Sequence, residues 1–158
     1  MTQVLRPGSY YAFDTVSDPS KPKPVLVVEV TGEESDEEIE GGDTVEATEY
    51  SFRADPLSSG ETEVVFRNAG TQPHQMSIAP LKPGKTAKDV EDLYKTEDVI
   101  PPFDPEAMKS TGALEGGESQ SVTLGLPPGR YVMICYLTDR EGGKGHHLEG
   151  MIDEVEVK

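Results

Sequence analysis

Four residues of this 158-residue chain could together do chemistry that none does alone: His74, Cys135, His146 and Met151. Each stands where an apolar strand pattern begins or ends. Two imidazoles and one thiolate in a trigonal set, with a thioether held weakly on the axis, suit a mononuclear copper ion that exchanges single electrons. Thiolate and thioether favour Cu(I), imidazole accepts both oxidation states, and an intermediate geometry lets the electron move with little reorganisation. The order of the residues along the chain has its own logic. Residue 74 opens a strand after the turn Asn68-Ala-Gly-Thr-Gln-Pro73, Cys135 lies near the end of a strand expected over Arg130–Leu137, and His146-x4-Met151 returns along the loop feeding the last strand. Distant segments can therefore meet at one end of a sandwich. His147 competes with His146, since neighbours on an extended segment point to opposite sides and only one can face the other ligands. Met76 and Met133 are read as core.

Other chemistries fare worse. Ala79-Pro-Leu-Lys-Pro-Gly84-Lys85-Thr86 follows a strand and precedes a helix like a phosphate-binding loop, but Pro80 and Pro83 have no N–H to offer phosphate, and Ala79 stands where a glycine is needed. A nucleophilic Cys135/His146 pair lacks any sign of a helix N-terminus or oxyanion hole around the thiol. No G-x-S-x-G or H-E-x-x-H occurs. With three histidines, His74, His146 and His147, the further imidazoles of an oxidase or reductase centre are missing, so no enzymatic activity is expected. One cysteine forbids an internal disulfide and a Cys-paired zinc site.

Composition narrows the partners. Fourteen Lys and Arg against thirty Asp and Glu give a net charge of −16, which repels phosphate backbones and anionic lipid. Nucleic-acid binding and direct membrane insertion are excluded on these grounds and by the lack of a ~20-residue apolar run. Met1–Pro7 lacks the apolar stretch of a leader, so the chain is either cytoplasmic or a mature form. A chain of this length buries roughly 68–70% of its unfolded surface and needs no metal for stability, so a metal would serve function.

The elements that must position these residues are mostly strands. Short β-branched and aromatic runs bounded by Gly, Pro, Asn and Asp predict an all-β sandwich. Expected strands are Ser9–Val16 and Pro24–Val30, then Thr44–Arg53, Glu61–Asn68, His74–Ala79, Ser119–Leu126, Arg130–Leu137 and Met151–Lys158. Between the two groups, Glu33–Asp43 crowds seven acidic residues into eleven, which predicts a self-repelling solvated loop. The division expected is an amino-terminal extension, 1–43, and a sandwich domain, 44–158. One short helix is expected at Thr86–Tyr94, with Thr86 and Asp89 as a capping box and Val90, Leu93 and Tyr94 as an apolar stripe. It lies on a long excursion that continues over 95–117, where Asp104-Pro105-Glu106 could cap one helical turn.

Three segments carry a family resemblance: Val65-Phe66-Arg67-Asn68 through His74, Pro128-Gly-Arg-Tyr131-Val-Met-Ile-Cys135-Tyr, and Gly145-His146-His-Leu-Glu-Gly-Met151. In order and context they resemble the cupredoxin family, especially its plastocyanin- and azurin-like bacterial and archaeal members, in which a strand like Ala47–Phe52 precedes the first histidine. The resemblance spans about Val45 to Lys158. It implies a Greek-key β-sandwich, one copper held by His74, Cys135, His146 and Met151, and electron transfer to a redox partner protein in an extracytoplasmic setting. His146 is preferred to His147 through the family's Gly-Lys-x-His pattern, matched by Gly143-Lys144-Gly145-His146. One departure stands out: ten residues, Tyr136 to Gly145, separate Cys135 from His146, where small cupredoxins have only a few. Copper-containing nitrite reductases accommodate a comparable loop. The competing readings are a copper-free interaction or structural module of the same fold, and a Cu(I) chaperone using His74, Met76 and Met151 with a copper donor or acceptor as partner.

Overall fold

The structure is a computed structural model and describes residues 2–3, 5, 7–13, 25–33, 39, 41–96 and 100–158. Residues 34–38 and 40 of the acidic run, 14–16 of the first expected strand and 97–99 of the excursion lie outside the described residues. In chain order the elements are β1 (Thr2–Gln3), β2 (Gly8–Phe13), β3 (Val25–Val30), β4 (Asp43–Thr48), β5 (Ser51–Ala54) and β6 (Gly60–Asn68). There follow β7 (Ser77–Pro80), α1 (Ala87–Leu93), β8 (Lys109–Ser110), β9 (Ser119–Leu126), β10 (Gly129–Ile134) and β11 (Ile152–Val157), with a 3-10 turn at His146–Leu148.

Two compact units result, one of Met1–Gln3 with Ile39–Lys158, the other Val4–Glu38. The smaller is an antiparallel ribbon of β2 and β3, with Gly8 opposite Val30 and Phe13 opposite Val25. The larger is an all-β sandwich of two sheets, ordered β1-β9-β6-β4-β5 and β11-β10-β7-β8. Among the described residues, every pairing between these strands is antiparallel except β4 with β6, and an isolated parallel bridge joins Leu57 to Val157. The chain crosses between sheets from β6 to β7, back to β9, and again to β10, which gives the Greek-key connection that the sequence implied.

The strand expected over Thr44–Arg53 is a hairpin. Thr48 pairs with Ser51, leaving Glu49 and Tyr50 as a two-residue loop in which Tyr50 has φ 59°. Such loops ordinarily announce themselves with Asn-Gly or Asp-Gly, and this one does not. The expected strand start at His74 is also later, at Ser77; His74 itself makes an isolated antiparallel bridge to Leu114. Around Asp104-Pro105-Glu106 there is a turn, closed by Met108 N–H donating to the Pro105 carbonyl, and no helix.

Burial on β10 decides where the chemistry falls. Alternate residues point to opposite faces of a strand, and here both faces are covered. Tyr131, Met133 and Cys135 join the core between the sheets, with Val45, Phe66, Ile78 and Met151. Val132 and Ile134 face a second cluster with Val90 and Phe103, against which Leu93, Tyr94 and Tyr136 pack. The apolar stripe of α1 thus closes the outer face of the second sheet, and Cys135 enters the sandwich because Tyr136 leaves it.

Candidate metal centre

The first imidazole is placed by a buried amide. Asn68, at the end of β6, donates through Nδ2 to the carbonyls of Gln72 and Leu114 at 2.8 and 2.9 Å, and its Oδ1 accepts from Gly70 N–H at 2.9 Å. The turn before His74 is therefore tied at both ends by one side chain. His74 then exchanges two backbone hydrogen bonds with Leu114, 3.0 and 2.8 Å, which fixes its side chain inward. Gly70 leaves room that a Cβ would fill: that atom would lie 2.8 Å from Glu49 Oε1 and 3.1 Å from His74 Nε2.

The long ligand loop is equally tied down. Thr138 bridges Gly145, Gly142 N–H donates to the Asp139 carbonyl, and His146 N–H donates to the Leu137 carbonyl at 2.7 Å. His147 N–H donates to the Cys135 carbonyl, Cys135 N–H to that of Met151, and Met151 N–H to that of His146. Ten intervening residues thereby bring His146 back beside Cys135. His74, Cys135, His146 and Met151 each have 0% exposure.

Three donor atoms converge. His74 Nδ1 and His146 Nδ1 are 3.1 Å apart, and Cys135 Sγ lies 3.5 Å from His146 Nδ1 and 4.0 Å from His74 Nδ1. A point equidistant from these three corners lies about 2.1 Å from each, within the ~2.0–2.3 Å at which nitrogen and sulfur donors sit on a divalent first-row ion such as zinc. The residues therefore fit one metal ion, and the thiolate-imidazole chemistry favours copper over harder cations. Met151 belongs to the same buried cluster as Cys135.

Burial governs the protonation of this pocket. It is the main cause that lowers the His74 pKa, with the His146 ring adding to it and Glu49 and Asp139 opposing. It also pushes the Cys135 thiol up, against the backbone N–H groups of Gln75 and Leu137. Burial therefore favours a neutral His74 and a neutral Cys135 thiol, so a cation taking the sulfur must displace the thiol proton.

His147 stands outside the cluster. Its ring packs edgewise on Tyr94 and tilted on Tyr136, with centroids at 4.6 and 5.1 Å, and those two phenols share a 2.8 Å hydrogen bond. Three residues near the site were not singled out in the sequence. Asn68 could have been suspected, since a polar residue ending an apolar strand run is a turn signal. Asp139 and Tyr50 carried none. Asp139 Oδ1 lies 3.1 Å from His146 Nε2, and the Tyr50 hydroxyl donates to Asp139 Oδ2 at 3.2 Å.

No family model matches the chain, and no curated protein sequence matches it. Among solved structures it is similar to reduced auracyanin from Roseiflexus castenholzii, at 22% identity and a TM-score of 0.47 over 73% of this chain and 94% of that one. Auracyanin A, a blue copper protein of Chloroflexus aurantiacus, is similar at 19% identity and 0.44 over 75% and 100%. Reduced rusticyanin is similar at 19% and 0.41 over 73% and 78%. At such identities and TM-scores the chemistry of the site rests on the chain's own residues. On this two-sheet Greek-key sandwich, with β4 parallel to β6, His74, Cys135 and His146 form one buried cluster whose donor atoms all lie within 4.8 Å of one another.

Proposed function

We propose that the chain is a single-electron carrier in which His74 Nδ1, His146 Nδ1 and Cys135 Sγ would hold one copper ion, with Met151, buried in the same cluster as Cys135, as a further thioether donor. When bound, copper supplies a one-electron couple. The protein holds two imidazoles and one cysteine sulfur in a buried triangle, a mixed donor set that would serve both Cu(I) and Cu(II). The observation that carries this reading is the convergence of three buried donor atoms from three separate segments. His74, Cys135, His146 and Met151 are all wholly buried, which shields a bound ion from solvent. Its partner is a redox protein, and the motif resemblance favours an extracytoplasmic location. A Cu(I) chaperone built on His74, Met76 and Met151 would leave the position of Cys135 unexplained.

Addition of Cu(II) to metal-free protein, followed by metal analysis and visible absorption, tests the assignment. One equivalent should bind with intense absorption from the Cys135 thiolate, and Cys135→Ala should lose it. An unchanged affinity and spectrum in Cys135→Ala would rule the site out.

A further inference from the structure

The ligand loop does more than return the chain to His146. It carries Asp139 to the outer edge of that imidazole, where Asp139 Oδ1 is 3.1 Å from Nε2. A carboxylate only accepts hydrogen bonds, so Nε2 carries the proton of this contact, and in the neutral form of the ring the lone pair is then on Nδ1. That lone pair is the one directed at the sulfur and at His74.

Asp139 is itself held. The Tyr50 hydroxyl donates to its carboxylate at 3.2 and 3.3 Å across 89 residues of sequence, and the Tyr50 ring stands edge-on to His146 with centroids 5.3 Å apart. Tyr50 occupies this place at φ 59°, a left-handed conformation that a bulky aromatic rarely adopts and that Gly or Asn would adopt with less strain. The loop is braced at Asp139 from the other side: Arg140 N–H donates to Gln72 Oε1 at 3.2 Å, and the Arg140 guanidinium pairs with Glu115. Three independent features, a lengthened loop, a strained aromatic and an anchored neighbour, therefore converge on one carboxylate.

We infer that Asp139, steadied by Tyr50, is a positioning residue that fixes the tautomer of His146 and aims its Nδ1 lone pair at the ligand triangle. The inference deepens the proposed copper site and rests on it for its purpose, but its structural content concerns the metal-free protein. Two Nδ1 atoms 3.1 Å apart can share only one proton. With Asp139 present, that proton belongs to His74. Without it, either ring can hold the proton, and His146 loses its commitment to donate a lone pair. An outer carboxylate on a ligating imidazole also raises the basicity of the ring, and its removal typically costs 10–100-fold in metal affinity.

The test is nitrogen-15 NMR of the histidine ring nitrogens in metal-free full-length protein at about pH 8, where an ordinary imidazole of pKa ~6.5 is neutral. The parent should show His146 as the Nε2-protonated tautomer. Asp139→Ala should populate the Nδ1-protonated form, Asp139→Asn should restore the parent tautomer through its amide oxygen, and Tyr50→Phe should fall between. Cu(II) affinity should drop about 10–100-fold in Asp139→Ala and less in Asp139→Asn. A folded Asp139→Ala, by circular dichroism, whose His146 tautomer equals the parent's overturns the positioning role. If the tautomer responds as stated but the parent takes up no Cu(II), the positioning role stands and the copper reading fails.

Discussion

Adjacent histidines in this chain have opposite fates because a chain segment can present only one of them to a given side. His146 is wholly buried with its Nδ1 against Cys135, whereas His147 has its ring between Tyr94 and Tyr136. His146→Ala should therefore abolish the thiolate absorption, or weaken Cu(II) binding by more than the ~10–100-fold expected for loss of an outer hydrogen-bond partner. His147→Ala should leave the spectrum nearly intact. The reverse pattern in a Cu(II) titration of both variants would move the role to His147. The cluster of His74, Cys135 and His146 was legible in the sequence because each stands near a strand end within a recognisable motif. Asp139 and Tyr50 were not, since their contact with His146 depends on the path of a ten-residue loop and on an unfavourable backbone conformation that no local preference encodes.

The helix α1 shows the opposite case, an element written almost completely in its own residues. Thr86 accepts from Asp89 N–H, and Asp89 Oδ2 accepts in return from Thr86 N–H at 3.0 Å. Thr86→Ala should cost about 1 kcal/mol, read as a lower urea midpoint of the metal-free protein. Lys85 first, and Thr86 next, lower the Asp89 pKa below its ordinary value. A depressed carboxylate contributes stability above its unfolded-state pKa of ~3.9 and loses it as pH falls through the folded-state value. The difference in midpoint between the parent and Asp89→Asn should thus be constant from about pH 7 to about pH 5 and shrink on further acidification below pH ~3.9. A difference that grows in acid would contradict this. Strand reading was also largely successful where both faces of a strand are buried or alternate, as on β9 and β10. It failed at the β4–β5 hairpin, whose Glu49-Tyr50 loop lacks any turn residue, and at the two-residue strands β1 and β8, too short to leave a period.

At the scale of the whole molecule, charge becomes the determinant. A net charge of −16 sets up a field that attracts cationic partners from a distance and repels anionic ones. Screening shortens its reach from ~30 Å at 0.01 M salt to ~8 Å at 0.15 M. The bimolecular rate of electron exchange with a basic haem protein, followed by stopped flow, should accordingly fall roughly tenfold over that range. A rate independent of salt would show that the acidic surface takes no part in encounter. The fold supplies what the field cannot. The two sheets, the second of them covered on its outer face by α1, bury His74 and Cys135, 61 residues apart in sequence, with their side chains 4.0 Å apart.

On the proposed function, His74, Cys135 and His146 hold one copper ion that exchanges one electron reversibly. A redox titration of the Cu(II)-loaded protein, with visible absorption recorded at each step, addresses it most directly. One electron equivalent per chain should bleach the thiolate band completely, reoxidation should restore it fully, and several cycles should leave the copper content at one per chain. Irreversible bleaching with loss of copper, or uptake of more or fewer than one electron per copper, would contradict it.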